Sequence, residues 1–290
     1  MANARASLFK GALAAYFGLF LIFMYGPMLV MAVLSLQSNQ GGATFPSRGL
    51  LSLYWYRYLG SEESAEVRSA ALRSLLLAFT VGLIVGFLAL SLAMAYRRLR
   101  LLSWPLLYLV LLSLMTPGLL LGLGMTIWWR LLGLDSTLYT TVLGAQVVWA
   151  LPFGFLVMLS VFNRYDETVE EGARDLGASG IRTFARVTLP IVWPGLFGAA
   201  LLGMTLSWNE FERTLLASPV QTLPLQIYSE ITVSVLEPSL YALGVLTTIG
   251  TLLAVLVMLV VGAVWARRTT RAHAAELEAF AAPIVEPEAA

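Results

Sequence analysis

The sequence predicts an all-α membrane protein of six transmembrane helices, and three observations carry that reading. Only 12% of the 290 residues are charged and the mean hydropathy is +0.80, whereas soluble domains carry about 25% charged residues. Six windows hold no Asp, Glu, Lys or Arg: Gly11 to Ser47, Ser74 to Tyr96, Leu101 to Trp129, Ser136 to Asn163, Val187 to Asn209 and Pro238 to Ala266. The shortest spans 23 residues, and a helix needs roughly 20 to cross the ~30 Å hydrocarbon layer. A strand-built barrel would instead show ~10-residue segments of alternating polarity.

Residues 1–10 precede a six-span membrane body expected over 11–268, with a flexible tail over 269–290 that ends in AAPIVEPEAA. The first span follows Arg5 and Lys10, as a signal peptide would, but its uncharged run is too long for a signal h-region and reads as an uncleaved anchor. Pro27 within it frees a backbone carbonyl. The loop from Gln37 to Ser69 carries LYWYRYLG, whose Tyr54, Trp55, Tyr56 and Tyr58 are expected in an interfacial aromatic belt, with partner docking as the alternative. Gly82 and Gly86 in the second span, and Gly118 and Gly122 in the third, stand four apart and put glycine on one helical face, where another helix can come close. Pro117, within MTPGLLLGLG, is expected to kink the third span or to act in a gate. The stretch from Glu210 to Glu237 holds Pro219 and Pro224 amid apolar residues, which suits a re-entrant or surface-lying segment.

Six spans put both termini on one side, and the basic residues decide which. One face holds Arg5, Lys10, Arg97, Arg98, Arg100, Arg164, Arg174, Arg182, Arg186, Arg267, Arg268 and Arg271, a total of 12, while the other holds Arg48, Arg57, Arg68, Arg73, Arg130 and Arg213, a total of 6. The richer face is expected to be cytoplasmic, with both termini and the segment EEGARDLGAS on it.

That segment, within 164–190, parses as two short helices. Thr168 and Glu171 have capping-box spacing, so a helix can begin at Thr168. Glu170 and Arg174 stand at i,i+4 in the favourable order. Val169, Gly172, Ala173 and Leu176 share one small apolar face, ringed by Glu170, Glu171, Arg174 and Asp175. Gly177 is a natural helix end, Ser179 can cap a second helix, GIRTFARVTL, and Pro190 is expected to bound it. A capped helix with a small apolar face suits a groove on another protein better than a solvated loop.

The same residues resemble the EAA loop of binding-protein-dependent ABC importer permeases. In that pattern Glu-Ala-Ala is followed four residues on by glycine and ten residues later by aliphatic-x-Leu-Pro. Glu171, Gly172 and Ala173 take the first positions, Gly177 the glycine, and Val187, Leu189 and Pro190 the end. Gly172 departs from the family's alanine, which loosens the helix by up to ~1 kcal/mol. MYGPMLVMAVLS, DLGAS and LPLQIYSEI are similar to spermidine/putrescine-type permeases, whereas SWNEF, Ser207 to Phe211, resembles sugar permeases of the same superfamily.

The resemblance implies a type I ABC importer permease fold in the bacterial inner membrane. It also implies that Glu170, Glu171, Gly172, Ala173, Arg174, Asp175, Leu176, Gly177, Ala178, Leu189 and Pro190 form the element that docks on the ATPase. Its partners would be two cytosolic ABC ATPase subunits, a second permease subunit (a homologue rather than a copy) and a periplasmic or lipid-anchored binding protein. The solute expected is a polyamine or related small amine, with a sugar as the alternative, and a passive channel or membrane scaffold as the remaining readings. The candidate substrate path is Trp208, Asn209, Glu210 and Glu212 at the end of the fifth span, with Met115, Thr116, Pro117 and Gln146 at middle depth in the third and fourth. A carboxylate this close to the membrane is costly unless hydrated or paired, and Trp208 could stack on a cation.

Catalysis by the chain itself is not expected. Lys10 is the only lysine, so no P-loop can form, and ATP would be used by partner chains. There is no cysteine, the single histidine, His273, lies in the tail, and no span holds a histidine or aspartate, which removes the usual intramembrane protease centres. No bound cofactor and no metal are expected.

Overall fold

A computed structural model describes residues 2–39, 52–99, 101, 103–233 and 238–281, with side chains described over a subset that excludes 1–8 and 265–290. The described residues form helices α1 (Ala2–Leu34), α2 (Tyr54–Leu59), α3 (Ala65–Arg98), α4 (Ser103–Leu112), α5 (Gly118–Leu131), α6 (Leu143–Phe162), α7 (Thr168–Asp175), α8 (Gly180–Thr183), α9 (Leu189–Trp208), α10 (Glu212–Ala217), α11 (Leu223–Val233) and α12 (Pro238–Ala281). No strand occurs among them. Five of the predicted spans appear as continuous helices long and apolar enough to cross a membrane: 9–34, 62–98, 138–162, 180–208 and 238–264. The remaining window, the third, is a pair of helices, 103–115 and 118–131, bent by 105°. The kink expected at Pro117 is therefore a full break. Thr116, the residue before the proline, is extended (φ −78°, ψ 122°), as the proline ring demands of its predecessor.

The chain divides into two compact units, residues 1–72 with 225–253, and residues 73–224 with 254–290. In the first, α1 carries Pro27 without breaking, and Gly244 of α12 lies against the sulfur of Met31. The α2 aromatics do not act alike: Trp55 contacts Tyr54 and Tyr58 edge to face at 5.0 and 5.8 Å. Tyr56 instead turns to share a 2.7 Å hydrogen bond with Ser35.

The second unit is organised by α3, α6 and α9, which converge on Val85. A Cβ at Gly154 of α6 would lie 2.7 Å from Val85 Cγ1, and one at Gly203 of α9 would lie 2.9 Å from Val85 Cβ. Val85 is fully buried and fills the space these two glycines leave. A Cβ at Gly82 would lie 2.7 Å from the Ala200 carbonyl oxygen and one at Gly86 3.0 Å from Ala200 Cβ, so the predicted glycine face of α3 receives α9. In lipid, where no water drives helices together, such close approach is the main source of association. One apolar cluster lies around Phe155, Met158 and Val192, and another around Leu77, Val81 and Val142.

Two sequence-based expectations at helix ends need correction. The capping box expected at Thr168 does not form. α7 begins at Thr168 as expected, but there the carboxylate of Asp166 accepts both the Thr168 N–H (3.0 Å) and its hydroxyl (2.8 Å) in place of a Thr168–Glu171 box. A reciprocal capping box does occur, between Thr137 and Thr140, at the start of the helix that enters α6. Pro190 does not bound the second loop helix either. The helix runs from Gly180 through a π-helical turn, Phe184–Thr188, into α9. In this wider turn the Leu189 N–H bonds back to the Phe184 carbonyl.

Candidate functional site

The short helix α7 is built as expected at its C-terminal end. Gly177 takes φ +84°, the left-handed conformation that side chains with a Cβ disfavour. The Ala178 N–H then bonds the Ala173 carbonyl at 3.0 Å and the Gly177 N–H bonds the Arg174 carbonyl at 2.8 Å. This is the paired pattern of a Schellman stop. Val169 is 45% exposed, Leu176 91%, and Ile181 just beyond is 83%. Gly172 has open space where a side chain would be. The small apolar face is thus free among the described residues.

Glu170 departs from its expected place in the exposed rim. It is the buried residue of α7. Its carboxylate takes hydrogen bonds from Arg97 Nη2 at the end of α3 (2.7 Å), from Thr188 Oγ1 at the base of α9 (3.0 Å) and from Arg174 Nη2 (3.2 Å). Arg97 also stands 3.6 Å from Glu167 and lies over the rings of Phe162 (5.0 Å) and Tyr165 (5.1 Å). Burial alone would raise the Glu170 pKa, but the hydrogen bonds from Arg97 and Thr188 outweigh it and hold the carboxyl below its usual range. Tyr165 is pushed up, first by burial and then by the nearby Glu170 charge. Asp166 is lowered by the Thr168 backbone and hydroxyl bonds.

The Glu170 shift sets a pH dependence. A carboxyl whose folded pKa lies below its unfolded value stabilises the fold fully above the unfolded value, about 4.3, and loses that contribution as pH falls through the folded value. Wild type should therefore melt above a Glu170→Gln variant at pH 7, with the gap closing as pH drops below about 4. A gap constant with pH would refute the assignment; thermal melts of both proteins in one detergent measure it.

At the other end of α9, a second polar group gathers. Glu210 and Arg213 are each 7% exposed. Arg213 Nη1 donates to both Glu210 carboxylate oxygens at 2.9 and 3.0 Å, and the Arg213 backbone N–H donates to Oε1 at 3.0 Å. The guanidinium stacks 3.9 Å above the Trp149 ring. Glu210 is thus already matched by a buried cation and is not a free carboxylate. Gln146 bridges Ser207 (2.5 Å) and Thr214 (2.9 Å), bracing α6 to α9 and α10. Glu212 is exposed, and its carboxylate lies over Gly118, at the first turn of α5 beside the Pro117 break. Asn209 is exposed and donates to the Thr205 carbonyl, Trp208 is half-buried, Met115 is 79% exposed and Thr116 half-buried.

The structure thus brings Glu212 together with the α5 break, and Gln146 with Ser207 and Thr214, while Glu210 pairs inward. Sequence reasoning missed Arg97, Thr188, Tyr165, Arg213 and Trp149. Arg213 stands three residues after Glu210, a spacing that could have signalled the pair. Nothing local signals Arg97, 73 residues from its partner. Among the described residues no cluster of His, Cys, Asp and Glu could hold a metal ion.

Residues 78–271 match the family described as binding-protein-dependent transport system inner membrane component. The chain is 25% identical over 262 residues to the spermidine/putrescine transport system permease protein PotC of Escherichia coli (strain K12), covering 88% of this chain and 94% of that one. It is 27% identical over 235 residues to the putrescine transport system permease protein PotI of the same strain, covering 77% and 81%. Among solved structures, a bacterial alginate ABC transporter in complex with alginate pentasaccharide-bound periplasmic protein aligns with a TM-score of 0.65 at 17% identity, covering 92% of this chain and 96% of that one.

Proposed function

The chain belongs to the inner membrane components of binding-protein-dependent transport systems, and from that membership we propose that it forms half of the translocation path of an ATP-driven importer. The observation that carries this reading is α7, a stopped helix with an exposed apolar face, held inward by one buried glutamate. In this reading α7 docks on one of two ATPase subunits, and nucleotide-driven closure of those subunits pulls the loop and reorients the spans. The side rich in basic residues is then cytoplasmic, and the opposite side receives a binding protein. A second, homologous permease subunit supplies the other half of the path.

The solute proposed is a polyamine or related small amine, in keeping with the names of the two Escherichia coli relatives. Since Arg213 matches Glu210, the carboxylate assigned to the amine is Glu212, with Trp208 and Asn209 beside it. A sugar is the second reading, favoured by the exposed Asn209 and half-buried Trp208 next to a neutralised Glu210. Uptake of labelled spermidine by cells carrying the whole system separates them. Removing a charged partner of a hydrogen bond costs about 1.5–3 kcal/mol, so Glu212→Gln should cut amine uptake roughly tenfold or more. Unchanged amine uptake would dismiss Glu212 as its ligand. Failure of the binding protein to bind any amine in a ligand screen would dismiss the amine reading.

A further inference from the structure

We infer that Arg97 is a positioning residue of transport, the joint that carries movement of α7 into two spans at once. The inference rests on the docking role proposed for α7. That helix has eight residues, and Glu170 is the one it buries. Apart from the backbone at its two ends, motion of α7 therefore enters the unit through the Glu170 carboxylate. Arg97 links that carboxylate to the end of α3 by a 2.7 Å charge-assisted bond, and Thr188 links it to the base of α9 at 3.0 Å. α3 and α9 are the helices whose glycine and alanine faces meet at Gly82, Gly86 and Ala200. A push at their common end therefore acts on a pair already packed at van der Waals distance.

The setting favours a stiff link over a loose one. The Arg97 side chain is 13% exposed and its guanidinium lies against both Phe162 and Tyr165, whose rings contact each other at 5.9 Å. Arg97 Nη1 has no hydrogen-bond partner among the described residues, so the two rings, Glu170 and Glu167 together fix the group. Tyr165 completes the ring of contacts by donating to Thr188 Oγ1 at 3.4 Å. A planar guanidinium suits this place, stacking on its faces while its edge binds carboxylate. Lysine could keep the charge but neither the stacking nor the geometry.

The test uses the intact transporter, purified with its ATPase and reconstituted in vesicles, with labelled spermidine as probe. It compares wild type, Arg97→Lys, Arg97→Gln and the double variant Arg97→Gln/Glu170→Gln. Three quantities are read: recovery of the complex, ATP turnover, and spermidine taken up per ATP. The double variant leaves no unpaired buried charge, so it protects the test against simple misfolding. Recovery of the complex is expected to stay near wild type in the lysine and double variants. Uptake per ATP is expected to fall roughly tenfold in the glutamine and double variants, with the lysine variant between. A wild-type ratio in the double variant would overturn the inference, as would loss of uptake only in step with loss of complex. If wild type itself brings down no ATPase, the importer reading fails first, and the two failures are distinguishable.

Discussion

Replacing Gly122 with alanine is expected to destabilise the purified protein by about 2 kcal/mol or more, while Gly124→Ala leaves it unchanged or improves it. Both glycines lie inside α5, so both gain the same helix propensity from a methyl group. They differ in what that methyl meets. At Gly124 nothing lies within 4 Å, whereas at Gly122 it would run into the backbone carbonyl of Arg213. Backbone cannot rotate aside as a flexible side chain can, so α10 would have to withdraw from α5. α10 is poorly able to do so. The hydroxyls of Thr126 and Thr141 bond the Leu216 and Ala217 carbonyls at 3.2 and 2.8 Å, and Arg213 is held by Glu210 and Trp149. Parallel thermal melts in detergent decide the matter. Equal melting of the two variants would show that α10 is not packed on α5 as described.

The glycine pattern was legible in advance because it is local: residues four apart share a helical face whatever the fold. The faces at Gly82, Gly86, Gly118 and Gly122 all receive another helix or its side chains. What could not be read was the identity of the receiver, α9 for the first pair and α10 for the second. The span windows were legible for a similar reason, since length and charge depend on neighbouring residues alone. Pro117 marks the limit. A proline announces that its own N–H is missing and its predecessor extended. It does not say whether the two halves continue at a modest kink or turn through 105°, because that depends on what each half packs against, and α5 packs on α10 at Gly118 and Gly122.

Glu170 shows the same limit at a charged residue. Spacing correctly paired it with Arg174, at 3.2 Å, and from that pair alone it belonged on a solvated rim. Its stronger partner, Arg97, comes from another helix, and no periodicity reports such a contact. A buried pair of this kind leaves a large penalty when one partner is removed, about 3–5 kcal/mol, so a surface reading would have underrated it. Glu210 repeats the lesson, with its partner Arg213 only three residues away but its burial visible only once α10 lies on α5.

Substituting Gly177 with valine is expected to cut uptake about tenfold or more while membrane insertion survives. Gly177 lies outside every membrane-length helix except as the hinge between α7 and the helix leading into α9, so translocation of the chain has no reason to fail. Nothing lies within 4 Å of the position where its Cβ would be, so a side chain meets no clash. The whole effect must come from φ +84°. A β-branched residue there costs roughly 1–2 kcal/mol, and each 1.4 kcal/mol changes an equilibrium tenfold. The chain can escape only by giving up the Ala178 to Ala173 and Gly177 to Arg174 bonds, which would swing α7 and its apolar face away from the presented direction. Two companions isolate the cause. Gly177→Asn should keep most activity, because asparagine visits the left-handed region readily. Gly172→Ala, at a helical site with open space, should be neutral or stabilise α7 by up to ~1 kcal/mol. Normal spermidine uptake by Gly177→Val would refute the docking geometry of α7. Equal loss in the asparagine and valine variants would instead trace the defect to bulk at the docked face, where only a partner protein could meet it.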